Sequence, residues 1–116
     1  MARLAMPEYS LITWGPGLVR RLSGHAIGSQ GYGDGQLNEP FGVATLRSGR
    51  LAVADTLNHR VVLLDAATGV FERTVGSIGV GDGQFIRPVD VAALPGGRLA
   101  VADAGNSRVV LLGPGA

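Results

Sequence analysis

The chain has 116 residues and a mass of 11.9 kDa, room for a single domain. Hydrophobic residues make up 46% and charged ones 16%, so it can bury a core and is not compositionally disordered. Ten basic residues, all Arg, oppose nine Asp and Glu for a net charge of +1. That balance excludes the strong basic field of a protein that grips nucleic acid mainly through its phosphates, and without Cys there is no disulfide framework, thiol nucleophile or Cys-based metal site.

From the N-terminus, Met1 to Thr13 carries one Arg together with Pro7 and Glu8 and no long apolar stretch, a poor signal peptide. No apolar run approaches the roughly 18 residues of a membrane span. No membrane association is expected, and a cytoplasmic location is favoured. Tyr9–Trp14 and Gly17–Ser23 read as two strands, followed by a glycine-rich connector from Gly24 to Gly35. Next come Phe41–Leu46, a Ser48-Gly49 turn, Arg50–Asp55, a Thr56-Leu57-Asn58 turn, His59–Asp65, a Thr68-Gly69 turn and Val70–Val75. Short β-rich runs bounded by Gly, Asn, Asp and Ser at this spacing predict four consecutive antiparallel strands. Leu51–Ala54 and Val61–Leu64 are continuously apolar, and a strand without a polar face needs cover on both sides.

The chain then repeats itself. Gly28–Leu64 aligns with Gly76–Leu112 without a gap at an offset of 48, with 24 of 37 pairs identical. A fixed period in the range of about 20–50 residues points to a solenoid, propeller or array. Upstream, Gly17-Leu18-Val19-Arg20-Arg21 is similar to Gly69-Val70-Phe71-Glu72-Arg73. Sheets stacked between neighbouring sheets would cover both faces of the apolar strands. The small residues Gly42, Ala44, Ala92 and Ala93 suit inner strands converging on a narrow axis. The expected fold is all-β, built of β-propeller blades of four antiparallel strands in an incomplete ring of about 2 to 2.5 blades. Residues 1–24 would supply outer strands of a preceding blade, 25–75 a complete blade, 76–112 a third blade lacking its outer strand, and 113–116 a tail.

The wording G-D-G-Q-(L/F)-x-x-P-x-x-V-A, then G-R-L-A-V-A-D-x-x-N-x-R-V-V-L-L, at Gly33–Leu64 and Gly81–Leu112, resembles the NHL repeat. The resemblance spans two repeats, 28–64 and 76–112, plus a partial one. The family typically closes six blades into a ring, which would need about 290 residues at this period. The resemblance implies protein- or RNA-binding surfaces, and related propellers include hydrolases and lyases. An open arc leaves apolar end faces uncovered. The chain is therefore expected to be part of a longer propeller, to assemble with copies of itself with Leu18–Ser23 completing a neighbour's last blade, or to dock on another protein.

Asp55, Asn58 and Arg60 recur as Asp103, Asn106 and Arg108. A binding site rarely needs the same groups twice, so these six are expected to be architectural, bonding turns and main-chain carbonyls. The connectors Gly31–Gly35 and Gly79–Gly83 lack the Lys and the following helix of a phosphate loop. Divergent positions are better candidates for function: Tyr32 opposite Val80, Asn38 opposite Ile86, Glu39 opposite Arg87, Gly42 opposite Asp90, and His59 opposite Ser107. In an NHL-like propeller, Tyr32, Asn38, Glu39, Asn58, His59 and Arg87 would share one rim. Tyr and Arg there suit a protein interface or stacking on unpaired bases. Asp90 would approach the central channel. In related propeller lyases a zinc-binding His follows an Asp by four residues, as His59 follows Asp55; with only His25 and His59 in the chain, the three protein ligands of a catalytic zinc are not in view. The expected function is a non-catalytic interaction module for a protein partner, without catalytic residues, metal or cofactor. The alternatives are single-stranded RNA binding on the loop rim, involving Tyr32 and Arg87, and a fragment of a lyase- or lactonase-type enzyme with a divalent metal near Asp90 or His59. Recognition of DNA is not expected.

Overall fold

The two uninterrupted apolar runs lie at the centre of one sheet. In the computed structural model, which describes residues 24–114 and the backbone of two short strands before them, β1 (Thr13–Trp14) pairs antiparallel with β2 (Leu18–Val19). The rest of the strands expected within Tyr9–Ser23, and the end of the tail, lie outside the described residues. The connectors contribute short parallel pairs. Ser29–Gln30 (β3) pairs with Gln36–Leu37 (β4), and Ser77–Ile78 (β9) with Gln84–Phe85 (β10). The loop inside each pair is held by the glutamine of G-D-G-Q: Gln36 Oε1 accepts the Gly33 N–H at 3.0 Å, and Gln84 Oε1 accepts that of Gly81 at 3.0 Å.

The first large sheet is four-stranded and antiparallel, with β5 (Pro40–Thr45), β6 (Arg50–Asp55), β7 (Arg60–Asp65) and β8 (Phe71–Val75) in spatial order. The second contains β11 (Pro88–Leu94), β12 (Arg98–Asp103) and β13 (Arg108–Leu112), again in order and antiparallel. The β6–β7 and β12–β13 connections are single 3-10 turns, Thr56–Asn58 and Ala104–Asn106. Each ends in a left-handed residue, His59 or Ser107, whose N–H returns to the carbonyl of Thr56 or Ala104. The architecture is all-β, with stacked propeller-type sheets.

Strand alternation gives each sheet a forward face, turned toward the next sheet in the sequence, and a rear face. Ala52, Ala54, Val61 and Leu63 form the forward face of β5–β8 and are fully buried. They pack in one cluster with Phe85, Val91, Leu99 and Val101, which come from the connector and the rear face of β11–β13. Val53, Val62 and Leu64 form a second buried cluster on the rear face of β5–β8, with Leu37, Leu51 and Phe71 against it. Both sides of β6 and β7 are thus covered, as their unbroken apolar sequence requires. Burying each side chain of Leu, Val or Phe size contributes about 1.5–3 kcal/mol.

Beside this core the inner strands nearly touch. A Cβ at Gly42 would lie 2.6 Å from Asp90 Cα and 2.9 Å from the Val89 carbonyl oxygen, so only glycine fits there. Among the described residues the forward end of the stack is open. Val109 and Leu111, on the forward face of β13, are 66% and 60% exposed, whereas their repeat mates Val61 and Leu63 are completely buried.

Candidate interaction rim

Each 3-10 turn carries an Asp, an Asn and an Arg that converge on the preceding connector. Asp55 is fully buried at the end of β6. Its Oδ1 accepts the Asn38 N–H at 2.6 Å. Its Oδ2 accepts bonds from Asn58 Nδ2 at 2.9 Å and Arg60 Nε at 2.7 Å. Asn58 Nδ2 also donates to the Gly31 carbonyl at 2.8 Å. The guanidinium of Arg60 donates from Nη1 to the Tyr32 carbonyl at 3.1 Å and from Nη2 to those of Gly33 and Gln36 at 3.1 and 2.8 Å. One carboxylate and one planar fork thereby hold the connector on the turn, the geometry for which arginine suits better than lysine.

The second repeat reproduces the clamp. Asp103 accepts from the Ile86 N–H, Asn106 and Arg108 at 2.7, 2.8 and 2.9 Å. Asn106 donates to Gly79, and Arg108 to the carbonyls of Val80, Gly81 and Gln84. Burial pushes the Asp103 carboxyl up, but these donors outweigh it and hold its pKa below the ordinary 3.8. No buried side-chain nitrogen or oxygen lacks a partner among the described residues.

The rim is made of what the clamps leave over. Tyr32 stands 82% exposed, its carbonyl held by Arg60. Ile78 and Val80 stand exposed on the following connector. Asn38 is half-buried; its N–H is held by Asp55, and its carbonyl accepts the Leu57 N–H at 3.1 Å. Glu39 and Arg87 are exposed and share a left-handed backbone, with φ of 52° and 53°. His59 and Arg87 meet across the two sheets, where the Arg87 N–H donates to His59 Nδ1 at 2.9 Å. Asp90 is exposed beside Gly42, and its Oδ1 accepts the Val91 N–H at 2.9 Å.

The clamps join Asn58, Arg60, Asn38 and the Tyr32 backbone, and His59 joins Arg87, whereas Asp90 belongs to the inner strand. No group of three His, Cys, Asp or Glu residues that could hold a metal occurs among the described residues. The acceptor nitrogen of His59 is already engaged.

Sequence reasoning missed the opposite rim. There, Arg47 and Arg50 from the β5–β6 turn and Arg98 from the β11–β12 turn line an open cleft that contains no carboxylate. Their flanking of equivalent hairpins was the available signal. Arg50 is partly neutralised by Glu72 at 3.5 Å.

Among the described residues no helix is long and apolar enough to cross a membrane. No curated protein matches the chain. The family model for the NHL repeat matches residues 85–110, a span holding Phe85, the whole of β11 and β12, and the Asp103–Asn106–Arg108 clamp. Residues 85–110 thus match the NHL repeat, and the same clamp is built a second time 48 residues earlier.

Proposed function

We propose that the chain is a non-catalytic interaction module that presents its connector rim to a protein partner. One observation carries this reading. The clamps commit the rim's buried Asp, Asn and Arg groups to internal bonds, leaving Tyr32, Ile78 and Val80 exposed on two successive connectors. An exposed tyrosine among apolar side chains is the composition that anchors protein interfaces.

The charge of the rim favours protein over RNA. Asp34, Glu39 and Asp82 are exposed there against Arg87, while Arg60 and Arg108 donate to carbonyls and carboxylates. A phosphate backbone would meet more carboxylates than free guanidinium groups. The engaged His59 nitrogen, and the lack of a group of three metal-binding side chains among the described residues, lend no support to a zinc-dependent lyase.

The test is site-specific photo-crosslinking in cell extract, with the reactive group at Tyr32 or Val80 and a control at Arg47 on the opposite rim. A discrete protein adduct from the first two positions, resistant to nuclease and to high salt, is expected. Adducts that vanish with nuclease, or that form equally from Arg47, would overturn the reading.

A further inference from the structure

We propose that the cleft on the rim opposite the connectors is a binding site for a small phosphate monoester. It lies between the β5–β6 turn and the β11–β12 turn, one from each repeat, and has a volume of about 600 Å³. That is the size of a small-ligand site. The site is independent of the connector rim that carries the proposed protein contact.

Three guanidinium groups define its chemistry. Arg50 and Arg98 are repeat mates, so the stacking of two repeats brings one from each turn to the same cleft. Arg47 is a third, at a position where the second repeat has Pro95. Arg47 and Arg98 are exposed and form no ion pair among the described residues. Arg50 is half-buried and braced: its Nε donates to Ser48 Oγ at 3.0 Å, and its Nη1 lies 3.5 Å from Glu72.

The carboxylates that would neutralise this group are committed elsewhere. Asp65 stands opposite Arg50 in the β6–β7 ladder, yet its Oδ1 accepts the N–H groups of Ala67 and Thr68 at 2.9 and 2.8 Å within its own turn. Glu72 reaches Arg50 but does not line the cleft. Like charges gathered around one cleft repel each other and draw in a counter-ion.

Charge and shape select the class of anion. With Glu72 set against Arg50, the three guanidinium groups leave two positive charges. A phosphate monoester matches them, carrying about −1.5 to −2 at neutral pH, whereas a phosphodiester link or a single carboxylate brings one. Guanidinium forks also meet phosphate oxygens in bidentate pairs. A nucleic-acid strand needs a row of cations along its length, and this is one cluster on a chain of net charge +1. Leu46, Leu94 and Pro95 supply apolar lining, which suits a compact ligand with an apolar body.

Phenyl phosphate is the probe, titrated into the 116-residue chain while amide and arginine Nε–H resonances are followed by nuclear magnetic resonance. Shifts are expected at residues 45–50 and 93–98 and not at Tyr32 or Val80, with binding that weakens as salt is raised. Arg47→Gln and Arg98→Gln should each weaken it about tenfold. Both positions are exposed, and circular dichroism checks that the variants fold. Glu72→Gln, which leaves Arg50 without its carboxylate, should tighten binding about threefold. Methyl phenyl phosphate, a diester with one charge, should bind about tenfold more weakly than the monoester. Inorganic phosphate, a phosphoserine pentapeptide and a single-stranded RNA pentamer are titrated alongside. Any of these three binding in the cleft more tightly than phenyl phosphate overturns the proposal, because free phosphate, a phosphorylated protein or nucleic acid would then be the occupant. So does a titration of wild type that leaves the cleft resonances unmoved, an affinity unchanged in both arginine variants, or equal binding of the diester.

Discussion

The hydroxyl of Thr56 donates to the main-chain carbonyl of Pro88 at 2.7 Å, and both residues are completely buried. The two are 32 residues apart and belong to different repeats. This bond ties the turn after β6 to the first residue of β11, and it sets the height at which the second sheet stacks on the first.

Thr56→Val keeps the shape and removes the donor, leaving the Pro88 carbonyl buried without a partner. The expected loss is about 1–3 kcal/mol, read as a lower urea midpoint with an unchanged slope. Thr56→Ser should recover most of it. If Val and Ser variants unfold together, the hydroxyl is not what links the sheets.

The clamps should differ in strength although their geometry matches. The Arg60 side chain is 12% exposed and that of Arg108 is 33% exposed, while both aspartates are buried. Removing the carboxylate strands a guanidinium, at a cost of about 3–5 kcal/mol where the ion is buried and less where water can reach it. Asp55→Ala is therefore expected to destabilise the chain more than Asp103→Ala in chemical denaturation. The reverse order would contradict the burial-based account.

The stacking of sheets was legible in the sequence because Leu51–Ala54 and Val61–Leu64 have no polar alternation, and only cover on both sides satisfies such strands. The recurrence of Asp55, Asn58 and Arg60 as Asp103, Asn106 and Arg108 stood out as well. Their partners did not. Eight of the acceptors are main-chain carbonyls, those of Gly31, Tyr32, Gly33 and Gln36 and of their mates Gly79, Val80, Gly81 and Gln84, which carry no side-chain signature. The parallel β3–β4 and β9–β10 pairs were hidden for a similar reason, because two-residue strands within glycine-rich segments show no periodicity. The His59–Arg87 contact was also unreadable, since it depends on how two repeats are rotated against each other.

Gly42 marks the closest approach of the inner strands. Gly42→Ala would push against Asp90 and the Val89 carbonyl oxygen, and overpacking of this kind costs about 1–3 kcal/mol. Asp90→Ala in the same chain should relieve only part of the loss, because the Asp90 backbone remains in place. Thermal unfolding of the single and double variants decides this, and an undiminished stability in Gly42→Ala would show that the inner strands are farther apart.

Acid should loosen the second clamp. The Asp103 pKa lies below its ordinary 3.8 in the folded chain. A group depressed on folding adds stability that is fully present above its unfolded pKa and is lost as pH falls through the folded one. The urea midpoint is expected to be flat from neutral pH down to about 5 and to drop below about 4. Asp103→Asn should start lower and fall less steeply. An identical acid slope in the variant would remove Asp103 from the explanation.

The central claim is that the two repeats fold into separate sheets stacked face to face with Phe85 between them. The most direct measurement is a nuclear Overhauser spectrum of chain with labelled methyl groups and a labelled Phe85 ring. Contacts from the ring to the methyls of Val61 or Leu63, on the first sheet, and to Leu99 or Val101, on the second, are predicted. A ring that contacts only residues of its own repeat would contradict the account.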